Sequence, residues 1–210
     1  MSKPQVVVLD YGSGNVHSAV KALVAAGAEV ELTADSARAY AADGLVIPGV
    51  GAFASVMTAL ASVRGGDLID QRLAASKPVF GICVGLQVLF SSGTEGALET
   101  QGLGQWPGQV TKLDAAILPH MGWNNVTPAK DSRLFAGIEN QKFYFVHSFA
   151  AHDLQIDAQP PFHAPQITWA DYEGKFIAAV ENGPLSGTQF HPEKSGAAGI
   201  KLLQNWIQSL

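Results

Sequence analysis

A single cysteine stands between two glycines at the end of an apolar run. The stretch from Val79 to Phe90 reads as a β-strand, then Gly81-Ile-Cys83-Val-Gly85, then an amphipathic helix. The glycines remove side chains that would clash where the helix packs close to the strand. A helix that begins just after the cysteine favours thiolate over thiol through its dipole and free N–H groups. Cys83 is therefore a candidate nucleophile, although a lone cysteine in an apolar setting is more often a buried structural residue.

A histidine and a glutamate far downstream could supply and orient a base. The segment Gln189-Phe-His191-Pro-Glu193 lies at the end of a predicted strand. A catalytic cysteine needs a base within hydrogen-bond reach and a third group that orients it. In an extended His-x-Glu both side chains point to the same face, so the Glu193 carboxylate can hold the far nitrogen of His191. The predicted triad is Cys83, His191 and Glu193.

Five other histidines compete for the role of base. We interpret three as surface residues, because they lie on the first helix or in polar and proline-rich loops: His17, His152 and His163. His120 and His147 lie in apolar segments and are interpreted as satisfied histidines of the core or of a cleft. No pair has a recognised metal-ligand spacing, and one cysteine gives no thiolate cluster, so we expect no metal site.

A glycine-rich loop could stabilise negative charge. Pro48-Gly-Val-Gly51 follows the predicted strand 45–47, and Gly49 and Gly51 allow backbone N–H groups to turn inward, as an oxyanion hole requires. Without the cysteine, a plain βα turn is an equally good interpretation. The loop from Tyr11 to Asn15 could cradle a phosphate, but its two glycines match a dinucleotide fingerprint poorly. We favour a turn that lines the active-site edge of the sheet.

The elements that must position these residues change character along the chain. Up to about residue 93, β-rich runs alternate with helix-period segments, which predicts a parallel, doubly wound sheet with its active site at the carboxyl ends of the strands. Later β-rich runs are separated by turns, such as the loops at 131–132 and 159–161, which predicts antiparallel pieces added to the sheet. The predicted fold class is α/β, with a mixed, mainly parallel sheet flanked by helices. The later predicted strands are 109–113, 143–149, 166–172, 176–180 and 187–190, before a last helix over 197–210.

Composition restricts the class of protein. With 47% hydrophobic and 15% charged residues, the 210-residue chain suits one well-filled domain over 1–210. A net charge of −5 without a Lys/Arg cluster argues against nucleic acid as a partner. One free thiol fits a reducing compartment, and we expect neither a secretory leader nor a membrane span, which needs about 20 apolar residues. The prediction is a cytoplasmic protein.

The ordered set of motifs resembles class I glutamine amidotransferases. The first pair of motifs is Gly-Ile-Cys83-Val-Gly-Leu-Gln87 and, far downstream, Gln-Phe-His191-Pro-Glu193-Lys194-Ser195. Further segments are similar to one branch, the family of glutaminase subunits of imidazole glycerol phosphate synthase. They are Asp10-Tyr-Gly-Ser-Gly-Asn15, Pro48-Gly-Val-Gly51, Pro119-His-Met-Gly-Trp-Asn124 and Tyr144-Phe-Val-His-Ser148, in the right order over nearly the whole chain.

The resemblance implies a glutaminase without a cofactor. Cys83 would attack the glutamine amide and form a thioester, and His191, oriented by Glu193, would protonate the leaving ammonia. The N–H groups of the 48–51 loop, Gly49, Val50 and Gly51, or that of Val84 would stabilise the oxyanion. Ammonia would pass to a HisF-type cyclase subunit, a (β/α)₈ barrel in a heterodimer, which makes imidazole glycerol phosphate and AICAR in histidine biosynthesis.

Other site residues are implied by the resemblance alone. Gln87, Glu95 and the Ser148-Phe149 backbone would hold substrate glutamine, with Glu95 facing its α-amino group. Phe149 stands where the family often has tyrosine, which leaves a hydroxyl contact there open. Residues near the cyclase interface would be Met121, Trp123, Asn124, Tyr144 and Lys194, although core packing is the ordinary alternative for Trp123 and Tyr144.

Two other functions are compatible with the motifs. The first is a different class I amidotransferase or a stand-alone cysteine hydrolase, which would work without a partner. The second is a sensor module with Cys83 as a redox thiol, which is disfavoured because it gives no reason for His191-Pro-Glu193. Dependence of ammonia release on a partner distinguishes the first from the amidotransferase subunit.

Overall fold

The structure, a computed structural model, describes residues 3–157 and 164–210. The predicted loop at 159–161 and His163 lie outside these residues. In chain order, the helices and strands are β1 (Gln5–Leu9), α1 (Val16–Ala25), β2 (Glu29–Thr33), α2 (Ser36–Ala41), β3 (Gly44–Gly49), α3 (Phe53–Ser62), α4 (Gly65–Ala74), β4 (Val79–Cys83), α5 (Val84–Gln87), β5 (Phe90–Glu95), β6 (Leu98–Gln101), β7 (Trp106–Lys112), β8 (His120–Asn125), β9 (Lys142–His147), β10 (Phe149–Ala151), β11 (Gln166–Asp171), β12 (Lys175–Asn182), β13 (Leu185–Thr188) and α6 (Gly196–Ile207), with a 3₁₀ turn at Pro192–Lys194 before α6.

Within the described residues, the main sheet has seven strands in the order β11-β12-β13-β4-β3-β1-β2. The strands from β13 to β2 run parallel, whereas β12 and β11 add to the edge in antiparallel pairing. The central strands β3 and β4 are buried along their whole length, as strands covered on both faces must be. The predicted fold class, an α/β protein with a mixed and mainly parallel sheet, is confirmed.

Helices cover both faces of this sheet. The chain moves one way across the sheet from β1 to β2 and the other way from β2 to β3. Because such crossovers are right-handed, α1 and α2 lie on opposite faces. Helix α1 packs beside α6, while α2 and α3 pack against α4. No helix in the described ranges is long and apolar enough to cross a bilayer.

The strands after α5 are divided among three sheets. Within the described residues, β11, β12 and β13 join the main sheet; β10, β7, β5 and β6 form a second sheet, and β8 and β9 form an antiparallel pair of their own. The predicted strand 143–149 is two strands, because the chain leaves β9 after His147 and enters β10 at Phe149. The predicted antiparallel additions to the main sheet are thus β11 and β12, whereas the other later strands lie outside it.

The predicted amphipathic helix after Cys83 is also shorter than expected. Helix α5 ends at Gln87, and β5 begins at Phe90. The N–H of Leu103 donates to the Val88 carbonyl at 2.7 Å, and the N–H of Trp106 donates to the Leu89 carbonyl at 3.0 Å. Carbonyls that would extend the helix thus accept from another segment, so the apolar run continues as a buried strand.

Candidate active site

The candidate nucleophile stands at a strained turn between β4 and α5. Cys83 has φ 55° and ψ −113° and is 3% exposed. A Cβ on Gly81 would lie 2.6 Å from the Gly85 carbonyl oxygen, and one on Gly85 would lie 1.9 Å from that of Ile47. The predicted reason for the two glycines, close packing of the helix on the strand, is confirmed. Positive φ at a non-glycine residue costs about 1–3 kcal/mol, and it persists where the surrounding structure enforces it.

His191 and Glu193 form a buried pair beside this turn. The His191 Nδ1 lies 2.7 Å from the Glu193 Oε1, and both side chains are almost completely buried. We expected an extended His-x-Glu to bring the two side chains together, but the pairing arises in another way. His191 is extended, but Glu193 lies in the 3₁₀ turn that begins at Pro192, and this turn folds the carboxylate back onto the ring.

Two hydrogen-bonding partners govern the charge of His191. Burial by itself lowers the pKa of its imidazole, but hydrogen bonds with Cys83 and Glu193 outweigh burial and raise the pKa to about 9. The ring is therefore an imidazolium at neutral pH. Because Glu193 engages Nδ1, Nε2 is the nitrogen left to face the sulfur. A positive charge beside a cysteine stabilises a thiolate, so the arrangement suits nucleophilic attack followed by proton donation.

The strand β9 fixes the backbone of the base. The N–H of His191 donates to the Tyr144 carbonyl at 2.9 Å, and the N–H of Tyr144 donates to the Ser195 hydroxyl at 3.0 Å. The Ser195 hydroxyl in turn donates to the His191 carbonyl at 2.7 Å. The position of His191 thus depends on a strand that lies outside the main sheet.

An open cleft of about 260 Å³ adjoins the sulfur. Residues from four separate regions of the sequence line it, and they include most of the predicted site. Gly49 and Glu193 are exceptions among the predicted catalytic and oxyanion residues; they border a smaller space behind the histidine. The lining residues of the cleft are Val50, Gly51, Cys83, Val84, Gln87, Glu95, Val146, His147, Ser148, Phe149, His191 and Lys194.

The predicted oxyanion residues occupy two different kinds of position. Val84 begins α5, and Gly51 has φ 94° in the exposed turn after β3, so both place backbone at the edge of the cleft. Gly49 is paired in register with Cys83, and a Cβ there would lie 2.2 Å from the Gly85 nitrogen. The missing side chain of Gly49 thus allows the backbone of β3 to pack closely against α5. The buried Tyr11 hydroxyl donates to the Pro48 carbonyl and holds the start of this loop.

The side chains predicted to hold substrate are tied into the protein. The Glu95 carboxylate accepts the N–H of Phe53 at 3.0 Å. The Gln87 side-chain amide donates to the Phe149 carbonyl at 2.8 Å and to the Gln189 side-chain oxygen at 2.9 Å. The carbonyl of Ser148 accepts from the N–H of Leu113 at 2.9 Å. The cleft wall is therefore preorganised before any ligand enters.

Sequence reasoning gave Gln189 no role. Its fully buried side chain accepts from Gln87 and places Nε2 3.7 Å from the Cys83 sulfur. The only signal in the sequence was its place two residues before His191, and in the structure it directly follows β13. Because β13 pairs in parallel with β4, the ends of these two strands meet at one edge of the sheet.

The residues predicted to lie near the partner differ in the direction of their side chains. Met121 and Trp123 are 62% and 55% exposed, and Trp123 meets the ring of Tyr144 edge to face, with centroids 6.1 Å apart. Lys194 is exposed at the rim of the cleft. Asn124 points the other way, and its side-chain amide donates to the Asp171 carbonyl at 2.9 Å. Adjacent strand residues point to opposite faces, so Asn124 lies on the other side of β8 from Trp123, and its place near the interface stays a prediction.

The remaining histidines fall into two groups. His17 and His152 are exposed, as expected for surface residues. His120 and His147 are buried, as expected for core or cleft histidines, and their rings bond to each other through Nδ1 of His120 and Nε2 of His147 at 2.9 Å. In residues 3–157 and 164–210, no group of three or more His, Cys, Asp or Glu side chains could hold a metal ion.

Comparisons with known proteins place this chain in a family. The sequence profile of the family described as glutamine amidotransferase class-I matches residues 7–209. The chain is 60% identical to "Imidazole glycerol phosphate synthase subunit HisH" of Leifsonia xyli subsp. xyli, over 100% of both chains. It is 58% identical to the protein of the same name from Nocardia farcinica, again over 100% of both chains.

Solved structures share the fold at low sequence identity. A structure titled as a glutamine amidotransferase superposes with a TM-score of 0.75 at 16% identity, over 98% of this chain and 99% of that one. A structure of PurLQS from Thermotoga maritima superposes with a TM-score of 0.68 at 18% identity, over 99% of both chains. At such identities the likeness concerns the fold.

Proposed function

The chain belongs to the class I glutamine amidotransferases, in the family of the HisH subunits of imidazole glycerol phosphate synthase, and we propose that it works as the glutaminase of that synthase. It hydrolyses glutamine to glutamate and ammonia and delivers the ammonia to a cyclase subunit in histidine biosynthesis. The observation that carries the proposal is that Cys83 and His191 line the same cleft while Glu193 holds the buried His191 ring from behind, at 2.7 Å from its Nδ1.

The first half of the reaction uses the imidazolium and the strained turn. The Cys83 thiolate attacks the side-chain amide carbon of glutamine, and the amide oxygen becomes an oxyanion. The N–H of Val84, with an N–H of Val50 or Gly51, donates to that oxygen. His191 then transfers its Nε2 proton to the amide nitrogen, the C–N bond breaks, and ammonia leaves a γ-glutamyl thioester on Cys83.

Water completes the cycle. The now neutral His191 accepts a proton from water as the water oxygen attacks the thioester carbon. The tetrahedral intermediate collapses, the C–S bond breaks, and glutamate departs while Cys83 returns to the thiolate beside an imidazolium. The Glu193 carboxylate keeps Nδ1 as the donor throughout, so that Nε2 always faces the reacting atoms.

Glutamine binding is assigned to the polar wall of the cleft. Glu95 presents a carboxylate to the substrate α-amino group, and Gln87 presents its side-chain oxygen, because both of its N–H groups already have acceptors. The backbone at Ser148 and Phe149 faces the same space. Phe149 contributes an apolar ring there without a hydroxyl.

We propose that the partner is a HisF-type cyclase with a (β/α)₈ barrel, which docks on the exposed face of the β8–β9 pair. Met121 and Trp123 leave apolar surface exposed beside Lys194 and the cleft. Exposed aromatic groups of this kind are enriched at interfaces. The ring of Tyr144 contacts Trp123, and the Tyr144 carbonyl accepts the backbone N–H of His191. A partner on this face would therefore contact a residue that is hydrogen-bonded directly to the catalytic histidine.

Two broader features belong to the same proposal. Residues 1–210 form one amidotransferase domain, which is supported by a single hydrophobic core shared by elements from both halves of the described chain. The location is the cytoplasm, which fits the one free thiol and the reducing conditions that it needs.

Ammonia release from glutamine tests the proposal. The purified chain is assayed alone, then with a HisF-type cyclase and the nucleotide ligand of that cyclase. The proposal expects a low basal rate that the liganded partner raises strongly. An equal rate with and without the partner would instead favour a stand-alone cysteine hydrolase that uses the same Cys83 chemistry.

A further inference from the structure

Two buried histidines form a hydrogen-bonded relay with a fixed direction. The Nδ1 of His147 lies 2.9 Å from the Phe149 carbonyl oxygen, which can only accept, so that nitrogen carries the hydrogen. At the other end, the Asn124 side-chain nitrogen donates to the Asp171 carbonyl and lies 3.2 Å from Nε2 of His120. A nitrogen of this amide can only donate, so Nε2 of His120 accepts and the hydrogen of that ring is on Nδ1. Nδ1 of His120 then donates to Nε2 of His147 at 2.9 Å, so both rings are neutral with their hydrogen on Nδ1.

The surroundings of the two rings keep them neutral. Burial lowers the pKa of His147 to about 3 and that of His120 to about 4. Electrostatic repulsion from three other histidines lowers the pKa of His147 further: His120, His191 and His152. The Phe149 carbonyl acts in the opposite sense, but burial dominates.

The relay ends on the oxygen that orients the amides beside the nucleophile. The Phe149 carbonyl accepts both from His147 and from the Gln87 amide at 2.8 Å. The second N–H of Gln87 engages the Gln189 oxygen at 2.9 Å, which leaves the Gln189 nitrogen 3.7 Å from the Cys83 sulfur. One series of contacts thus runs from His147 to the sulfur of the nucleophile.

We infer that His147 and His120 are positioning residues for the glutaminase reaction, which hold the Phe149 carbonyl and, through Gln87 and Gln189, keep an N–H donor on the Cys83 sulfur. Two apolar side chains would fill the same volume without the cost of burying four ring nitrogens. The imidazoles differ from such side chains in supplying directed donors. The inference rests on the proposed function where glutaminase turnover is measured. The connection between the two histidines and the Cys83 sulfur can be tested without it.

Alkylation of Cys83 tests that link without glutamine or a partner. Because the chain has one cysteine, the rate of reaction with iodoacetamide at neutral pH reports on this sulfur alone. His147→Leu removes the donor to Phe149, whereas His147→Asn keeps an N–H near the Nδ1 position. His17→Gln, on the exposed histidine of α1, is the matched control.

For folded His147→Leu, we expect alkylation to slow about fivefold, because the thiolate loses an ordered donor. With the cyclase bound, kcat should fall about tenfold and KM should change less. His147→Asn should recover most of both losses, and His17→Gln should match the unsubstituted chain. Recovery by asparagine and a kcat effect larger than the KM effect would not follow from a merely structural role.

Unchanged alkylation in folded His147→Leu would overturn the inference, whatever the glutaminase assay shows. If that variant does not fold by circular dichroism, Gln189→Met carries the test, because it removes the last donor of the series. Slower alkylation there supports the inference, and a wild-type rate overturns it. A chain that alkylates as expected but releases no ammonia, even with the partner, would instead count against the proposed function.

Discussion

Two buried histidine sites border the same cleft and carry opposite charge states. At the triad, the pKa of His191 is raised to about 9, whereas at the β8–β9 pair, the pKa of His147 is lowered to about 3. Burial disfavours the charged form of both rings. The difference lies in their partners, since His191 faces a carboxylate and a thiol, and His147 faces a carbonyl and a second neutral ring. Partners, rather than depth, decide whether a buried histidine works as an acid or as a fixed donor.

Of the changes considered, removal of the Cys83 sulfur should have the largest effect on the difference between the two histidine sites. Cys83→Ala deletes the nucleophile and one of the two partners that hold the charge of His191. We expect glutaminase activity to fall by at least about 10⁴-fold, while the fold is kept. Ammonia release with the cyclase bound, together with circular dichroism, checks this. Substantial activity in the folded variant would disprove the assignment of the nucleophile.

Neutralising the carboxylate should move His191 toward the behaviour of an ordinary histidine. We expect Glu193→Gln to lower kcat about 10²-fold, far less than the loss of the sulfur, because the ring keeps the right place but loses its charge partner. If activity needs the imidazolium, the wild-type rate declines as pH rises through about 9. In the variant this decline should begin at lower pH. A rate–pH profile measures both effects, and a loss as large as that of Cys83→Ala would make Glu193 more than an orienting group.

The pH dependence of stability separates the two sites by sign. For His147 and His120, the folded pKa values of about 3 and 4 lie below the ordinary 6.5, so the unfolded chain binds more protons as pH falls below 6.5. Their contribution is therefore lost on acidification, by at most about 1.4 kcal/mol per pH unit for each ring. For His191 the folded pKa is raised, so its contribution is present below pH 6.5 and is lost as pH rises through about 9.

Urea unfolding between about pH 4 and pH 8, a range that crosses the ordinary histidine pKa, checks the acid side. The wild-type free energy of unfolding should fall below pH 6.5. In His120→Phe the slope should be smaller, because one of the two titrating rings is gone. His17→Gln, an exposed histidine, should keep the wild-type slope. Equal slopes in all three chains would contradict the neutral state of the buried pair.

The smallest expected effect comes from the outer end of the relay. Asn124→Ala removes the donor to His120 and a second bond to the Asp171 carbonyl. We expect the free energy of unfolding to fall by about 1–2 kcal/mol, because a buried acceptor loses its partner. Asn125→Ala, on the opposite face of β8, is the matched control and should change it little. Equal losses in the two variants would show that the Asn124 bonds add nothing specific.

Part of this architecture can be predicted from local sequence. The apolar run before Cys83, the glycines around it and the alternation of strands with helices specify β4, the sharp turn and the parallel sheet, because strand periodicity and glycine sterics are local properties. The triad residues could be named from their chemistry and from the resemblance to amidotransferases. The alternation of side chains along β8 likewise predicts that Asn124 and Trp123 face opposite ways.

Other features depended on contacts between distant segments. Helix α5 stops after Gln87 because Leu103 and Trp106 capture its next carbonyls, which no local pattern shows. The bond between His191 and Glu193 depends on a 3₁₀ turn.

The sequence by itself determined which residues can do chemistry and which local elements carry them. Only the tertiary structure decided that Gln189 reaches the sulfur and that His120 bonds to His147, because parallel pairing of β13 with β4 and antiparallel pairing of β8 with β9 bring these side chains together. It also decided their protonation. The pKa of a buried ring depends on the partners that folding places around it, and those partners come from elsewhere in the chain.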